Sequence, residues 1–480
     1  MITIIDLARD AGTYESMTPE RPSDLGLIVE PDAWWPKQRQ TIGAILSCLI
    51  GGYDNVLLNA PAGSGKTLVS AAVCKLRHSK AIVLTHTLAL QDQYLRTASW
   101  AVTIKGKSNY KCGDPEQKNA WQVLAALGKD SLTAEECDDY LECSNPWRNG
   151  CPYFQALGQA AEADIAVLNY AYAVRILSQK YMKRGLCTPE DDLPRLNPFR
   201  RPLLICDEGH LANDAIVTAC SLELWHGVMR KVGIGRWPDY SNDALAWKVW
   251  AEQVRMVPSL GRFKTPDLVL QARYQNLIER LRQLSLINPD DWIVQREEKK
   301  TKFYPIWARL VTDRLLDYFP SKLIMSATLG DPKLLCEKLG LQGNTAYIDV
   351  PSTFPVANRP VHYWPVVSLS KDSGDDAFEA LSTAIKHIVN QPYCTDKKGI
   401  IHVASYKMVS QLRPYLGSYP RFLFHEEIKH RENMVAYFRE DTGGNSVIIT
   451  PSLTTGFDLP YDIGFQIIAK VPFAYLGDPL

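Results

Sequence analysis

The sequence predicts an α/β protein of two parallel-sheet lobes, and three observations carry that expectation. Short apolar runs at residues 56–58, 81–84, 165–168, 203–206 and 323–325 alternate with helical stretches, the pattern of a doubly wound sheet. A second set of runs, at 399–403, 421–424, 446–450 and 466–468, follows Gly340, with helical stretches over 406–415 and 430–439 between them. A glycine-rich phosphate loop stands in the first set, and the second has none. Between 213 and 320 the alternation stops. Helices are expected there over 243–257 and 266–287, the second with Leu268, Leu270, Tyr274, Leu277, Ile278 and Leu281 at apolar positions.

Composition sets the outer limits. A chain of 480 residues has room for roughly three domains. With 46% apolar and 22% charged residues it reads as a soluble globular protein. Its 53 basic and 53 acidic residues cancel, so any surface for nucleic acid must be a local groove. The start, Met1 to Asp6, lacks a basic flank followed by a long apolar stretch, and no signal peptide is expected. No apolar run approaches the ~20 residues of a membrane-spanning helix, so no membrane partner is expected. The 11 cysteines then read as buried thiols plus metal ligands, which puts the expected location in the cytoplasm. A monomer is expected.

Ala60-Pro61-Ala62-Gly63-Ser64-Gly65-Lys66-Thr67 joins the run at 56–58 to a helix expected to start on Lys66. Ala60 holds the first glycine position of G-x-x-x-x-G-K-[ST], while Gly63 to Thr67 is intact. Glycines let backbone N–H groups curl around a β-phosphate, a lysine at Lys66 reaches the β/γ oxygens, and the Thr67 hydroxyl can ligate Mg²⁺. A chance glycine-rich turn is the alternative, and the strand–loop–helix setting argues against it. ATP with Mg²⁺ is the expected ligand, held by Ala62, Gly63, Ser64, Gly65, Lys66 and Thr67.

The run at 203–206 ends in Asp207-Glu208-Gly209-His210. An apolar strand ending in two carboxylates is what a Walker B site requires: Asp207 to hold Mg²⁺ and Glu208 to orient and deprotonate the attacking water. An ordinary acidic loop would look the same in isolation. Lys66, Asp207 and Glu208 are the expected catalytic residues.

Further motifs follow in order. They are Pro36-Lys37-Gln38-Arg39-Gln40, Thr85-His86-Thr87-Leu88-Ala89-Leu90-Gln91, Leu323-Ile324-Met325-Ser326-Ala327-Thr328-Leu329, Gly456-Phe457-Asp458-Leu459-Pro460 and Lys470-Val471-Pro472-Phe473. Together with D-E-G-H, one residue from D-E-A-H, the set resembles the XPD/DinG-type iron–sulfur helicases of superfamily two, of cellular or phage origin. The resemblance implies two RecA-like lobes and an adenine contact at Gln38. It also implies nucleic-acid backbone contacts at Thr85, Thr87 and Gln91, an S-A-T-L segment coupling the lobes, and nucleotide contacts from the second lobe at Gly456 and Asp458.

Between the two ATPase motifs lie Cys112, Cys137, Cys143 and Cys151. By count, four thiolates suit a [4Fe–4S] cluster or a tetrahedral zinc equally. The spacing lacks the tight C-x₂-C pairs of zinc ribbons, and unrelated buried cysteines are the plain alternative. The lead-in Lys105-Gly106-Lys107-Ser108-Asn109-Tyr110 resembles the entry to the helicase family's cluster domain, which implies iron–sulfur. A segment of this size has too few apolar positions for a robust core, and such domains commonly need a metal. The resemblance makes it a wedge that splits a duplex.

The expected domains are lobe 1 at 1–104, 163–215 and 316–335, the cluster domain at 105–162, a helical arch at 216–315 and lobe 2 at 336–480. Arg255, Arg262, Lys264, Arg273, Arg280 and Arg282, near Trp247 and Trp250, can be read as strand contacts or as solvated faces over core aromatics. By resemblance the chain is an ATP-driven translocase on single-stranded or forked DNA, moving 5′ to 3′. The family's Q-x-x-G-R-x-x-R segment is not found, so lobe 2 is expected to be C-terminally incomplete. An arginine finger is worth ~10³–10⁵ in rate. That departure keeps open a clamp that binds ATP and DNA with little turnover. A P-loop ATPase with structural zinc is the other rival.

Overall fold

The computed structural model describes residues 2–8, 11–112, 120–140, 151–177, 199–239, 241–257, 263–370, 372–427, 431–441, 444–453 and 463–471. The chain divides into two compact units, Met1–Thr353 and Phe354–Asp478.

The first unit is organised on a parallel sheet. Its strands are β1 (Ile2–Ile5), β2 (Asn55–Asn59), β3 (Ala81–Thr85), β4 (Ala101–Thr103), β5 (Ile165–Asn169) and β6 (Leu203–Cys206). A smaller sheet follows, from β7 (Leu222–Trp225), β8 (Trp292–Arg296) and β9 (Lys300–Pro305), and then β10 (Ser321–Ser326) and β11 (Thr345–Asp349) return to the main sheet. The main order is β1-β11-β2-β10-β6-β3-β5-β4, parallel throughout. Strands covered on both faces need apolar residues on both. Accordingly Val56 and Leu58 of β2 face one core, with the helices Gln38–Ile50 and Lys66–Leu76, while Leu57 faces the other. The second core takes the helices Pro152–Glu162, Tyr170–Leu177 and Ala212–Cys220.

The five expected strands of this lobe lie where the apolar runs stand. Two further strands come from the ends of the unit. β11 pairs parallel with β1 and with β2, so the first unit runs on to Thr353, past the expected lobe boundary at 336. The buried Arg201 closes the return from the cysteine segment: its guanidinium donates to Ala81 O (2.8 Å), Ala160 O (2.6 Å) and Asp164 O (3.2 Å).

The interval expected to form a helical arch carries strands as well as helices. The interval holds the helices Ala244–Arg255 and Leu268–Leu284, but they pack on the antiparallel sheet β7-β9-β8. In β9, Thr301, Phe303 and Pro305 are buried and their neighbours are not, the period of two that a one-faced strand shows. Trp247 is fully buried against Phe303. Arg255 donates to Ser285 Oγ and Arg280 to Glu223 O, while Arg262 lies outside the described residues. In the cysteine segment, Val123 and Leu132 pack with Val269 of the insertion helix. That small core is shared, not independent.

The second unit carries β12 (Lys398–His402), β13 (Phe422–Phe424), β14 (Val447–Thr450) and β15 (Ile463–Ile468) in the order β13-β14-β12-β15, all parallel. The helices Asp375–Val389 and Tyr406–Leu416 cover one face. Thus the fold is α/β with two parallel-sheet, RecA-like lobes. Among the described residues no helix is long and apolar enough to cross a membrane.

Candidate nucleotide site and cysteine segment

β10 lies between β2 and β6, with Ser326 opposite Asn59 and Ile324 opposite Cys206. The loop after β2 and the turn after β6 therefore leave the same edge of the sheet, about 10 Å apart by strand spacing. Chain order alone gives no reason for the phosphate loop and the paired carboxylates to meet. Parallel pairing through β10 supplies it.

The loop has the backbone its glycines allow. Gly63 and Gly65 both sit at φ 77°, a region costly for other residues. A Cβ on Gly65 would also lie 2.3 Å from Gln38 Nε2. The buried Gln38 thereby braces the loop from below. Its Nε2 donates to Ser64 O (2.9 Å), and its Oε1 accepts from Trp35 N–H (2.8 Å). Lys66 Nζ turns back to Ala60 O (3.3 Å) and Pro61 O (3.4 Å), so its ammonium lies over the loop. Ser64 Oγ is buried with no hydrogen-bond partner among the described residues. A buried, unpaired hydroxyl on a glycine-containing loop that leads into a helix N-terminus fits an anion.

Asp207 is 2% exposed and its N–H donates to Leu84 O (2.9 Å). Burial, and then the neighbouring Glu208, raise its carboxyl from 3.8 to about 6, partly offset by the Lys66 ammonium. A dication beside it would reverse that logic. Glu208 takes the left-handed region at φ 52°, which aims its side chain at the end of β10. Ser326 Oγ lies 2.7 Å from His210 Nδ1 and 3.5 Å from Glu208 Oε2, and it accepts from Thr328 N–H (3.1 Å). The S-A-T-L segment and the D-E-G-H turn are thus one hydrogen-bonded unit.

Sequence reasoning missed a support beneath the site. Ser70 Oγ donates to Thr67 O (2.9 Å) and meets Tyr94 OH at 2.8 Å, in full burial. The signal was a tyrosine on the buried face of the helix Leu88–Thr97.

Of the three residues expected to touch a nucleic-acid backbone, Thr85 and Gln91 are fully enclosed. Thr85 Oγ1 donates to Thr87 O (3.3 Å), and Gln91 Oε1 accepts from Thr103 Oγ1 (3.2 Å). Thr87 caps the helix, its hydroxyl accepting from Leu90 N–H. Gln91 Nε2 is buried with no hydrogen-bond partner among the described residues. Gly456, Asp458 and Cys143 lie outside the described residues.

Cys112 Sγ and Cys137 Sγ are 3.5 Å apart. Zn–S bonds of ~2.3 Å at tetrahedral angles would separate two sulfurs by about 3.8 Å. Cys151 stands at the N-cap position of the helix Pro152–Glu162. Among the described residues no group of three or more metal-binding side chains forms. The buried Cys48, Cys74 and Cys206 are core thiols, pushed up by burial to about 11, about 12 and about 12.

A family model described as "Type III restriction enzyme, res subunit" matches residues 33–232. No curated protein sequence matches the chain. Among solved structures the chain is similar to one titled "XPD_Helicase", at 16% identity over 86% of this chain and 79% of that one, with a TM-score of 0.50. It is also similar to "XPD_APO" (15%, 88% and 81%, TM-score 0.48) and to "Structure of S. tokodaii Xpd4" (15%, 86% and 80%, TM-score 0.47). At that identity the likeness to the first of these structures is one of fold.

Proposed function

We propose that this protein is an ATP-dependent helicase or translocase that moves on single-stranded DNA, 5′ to 3′. One observation carries the reading: the phosphate loop, Asp207-Glu208 and Ser326 converge at one sheet edge through the β2–β10–β6 register. ATP binds the loop, with Lys66 against the β/γ oxygens and N–H groups from Ala62 to Gly65 around the β-phosphate. Thr67 and Asp207 would hold Mg²⁺, which supplies charge neutralisation on the phosphates when bound. Glu208 takes the proton of the attacking water, and His210 and Ser326 fix its carboxylate. Gly456 and Asp458 are proposed nucleotide contacts from the second lobe.

Cys112, Cys137, Cys143 and Cys151 are proposed to hold an inorganic centre that stiffens the insertion. The K-G-x-S-N-Y lead-in supports [4Fe–4S], and the short Cys112–Cys137 separation supports zinc. DNA-stimulated ATP hydrolysis, with Lys66→Ala as control, tests the motor. Stimulated turnover lost in the variant supports it. ATP binding without stimulated turnover would leave a clamp instead.

A further inference from the structure

A cavity of about 620 Å³ opens in the insertion, away from the phosphate loop, between the helices His226–Lys231 and Leu268–Leu284 and the turn joining β8 to β9. That volume is in the range of small-ligand pockets. Its floor is apolar, from Leu270 and Leu277, and Trp225 stands at the wall, 42% exposed. The rim is cationic.

The cations differ in how far they are already engaged. Arg280 donates to Glu223 O (2.7 Å), and Arg230 lies over the Trp237 ring at 5.5 Å. Lys231, Arg273 and Lys299 line the cavity, are exposed, and form no ion pair among the described residues. Of the two lining acids, Glu223 is taken by Lys300 Nζ at 2.7 Å, which leaves Glu298 as the one counter-charge in the lining. The chain as a whole is neutral, so a concentration of unpaired positive charge around an apolar floor is not a by-product of composition. Three separate elements deliver those charges to one opening.

We infer that this cavity binds a phosphorylated nucleotide unit, with its phosphate among Lys231, Arg273 and Lys299 and its base over Leu270 and Leu277 beside Trp225. Converging ammonium and guanidinium groups suit a dianionic phosphate. The Trp225 indole, with Lys300 Nζ 4.8 Å from its ring centroid, stands with Leu270 and Leu277 in the lining, and an aromatic wall beside apolar side chains suits a flat base, whichever base it is. A free mononucleotide and the 5′-phosphorylated end of a strand present this same chemistry. Neither the cavity nor its charges depend on the motor reading.

The test uses the full chain carrying Lys66→Ala, so that the phosphate loop does not dominate. Fluorescent dAMP, and a labelled short oligonucleotide with either a 5′-phosphate or a 5′-hydroxyl, are titrated by anisotropy. Binding of dAMP or of the 5′-phosphorylated strand is expected to weaken at least tenfold in Lys231→Glu/Arg273→Glu, and to weaken with salt. Preference for dAMP identifies the free nucleotide as the source, and preference for the phosphorylated end identifies the strand. With Lys66 restored, unchanged basal ATP hydrolysis of the double variant reports that it folds. No binding of either probe, or binding indifferent to the charge reversal or to the 5′-phosphate, would overturn the inference.

Discussion

His210 Nδ1 stands 2.7 Å from Ser326 Oγ, and this contact joins the turn after β6 to the end of β10. Removing the hydroxyl takes away one of two groups 3.5 Å from Glu208 Oε2, the other being His210 Nδ1. In Ser326→Ala, DNA-stimulated hydrolysis is expected to fall about tenfold, near 1.4 kcal/mol, the scale of one hydrogen bond. ATP affinity by direct titration should stay within about twofold. A matching loss of affinity would show that the contact serves binding rather than turnover.

Gly209 is where this chain departs from D-E-A-H, and packing gives the reason. A Cβ there would lie 2.3 Å from Ile324 Cγ2, in full burial. Gly209→Ala, a step toward the family motif, is therefore expected to destabilise by about 1–3 kcal/mol, the cost of overpacking. Chemical denaturation measures it. In a double-mutant cycle with Ile324→Ala the two losses should sum to less than their parts.

The buried Asp207 makes the site pH-dependent. Its folded value, about 6, lies above the ordinary 3.8, so its contribution to native stability is full below 3.8 and is lost as pH rises through about 6. Asp207→Asn should accordingly be more stable than the parent at pH 8, by on the order of 2–3 kcal/mol, with the gap closing by pH 4. Mg²⁺ binding has the opposite dependence, since it needs the carboxylate. Mg²⁺-dependent ATP affinity is expected to fall as pH drops below about 6, and to be weak and flat with pH in the variant. A parent affinity that is level from pH 8 to pH 5 would contradict this.

The cysteine segment should carry metal. Elemental and labile-sulfide analysis of the parent is expected to find iron with sulfide, and Cys137→Ser to lose most of it. Zinc without sulfide would make the tetrahedral ion the correct assignment. Because Val123 and Leu132 share a small core with Val269, the variant should also become more sensitive to proteolysis around 120–140, while Lys66-dependent ATP binding persists.

The motifs that could be read directly are those made of consecutive residues. Gly63 to Thr67 and Asp207 to His210 each sit at the end of a short apolar run, and the local rules for strand, loop and helix suffice to place them. The strands of the second unit were legible for the same reason. The hairpin of β8 and β9 was not, since the alternation at Thr301, Phe303 and Pro305 sits among lysines and reads as solvated surface. The burial of Thr85 and Gln91 was not legible either: a polar residue at a strand end looks the same in sequence whether it faces solvent or a helix.

By itself, then, the sequence determined the α/β class, the phosphate loop and the paired carboxylates, because each depends on neighbours in the chain. Tertiary structure decided what those residues face. The pairing of Ile2–Ile5 with Thr345–Asp349, the Ser70–Tyr94 support under Thr67, the His210–Ser326 contact and the Cys112–Cys137 approach all join residues far apart in sequence. Such contacts arise only when the sheet closes and burial forces polar groups to find partners, and no local pattern records which partner each will find.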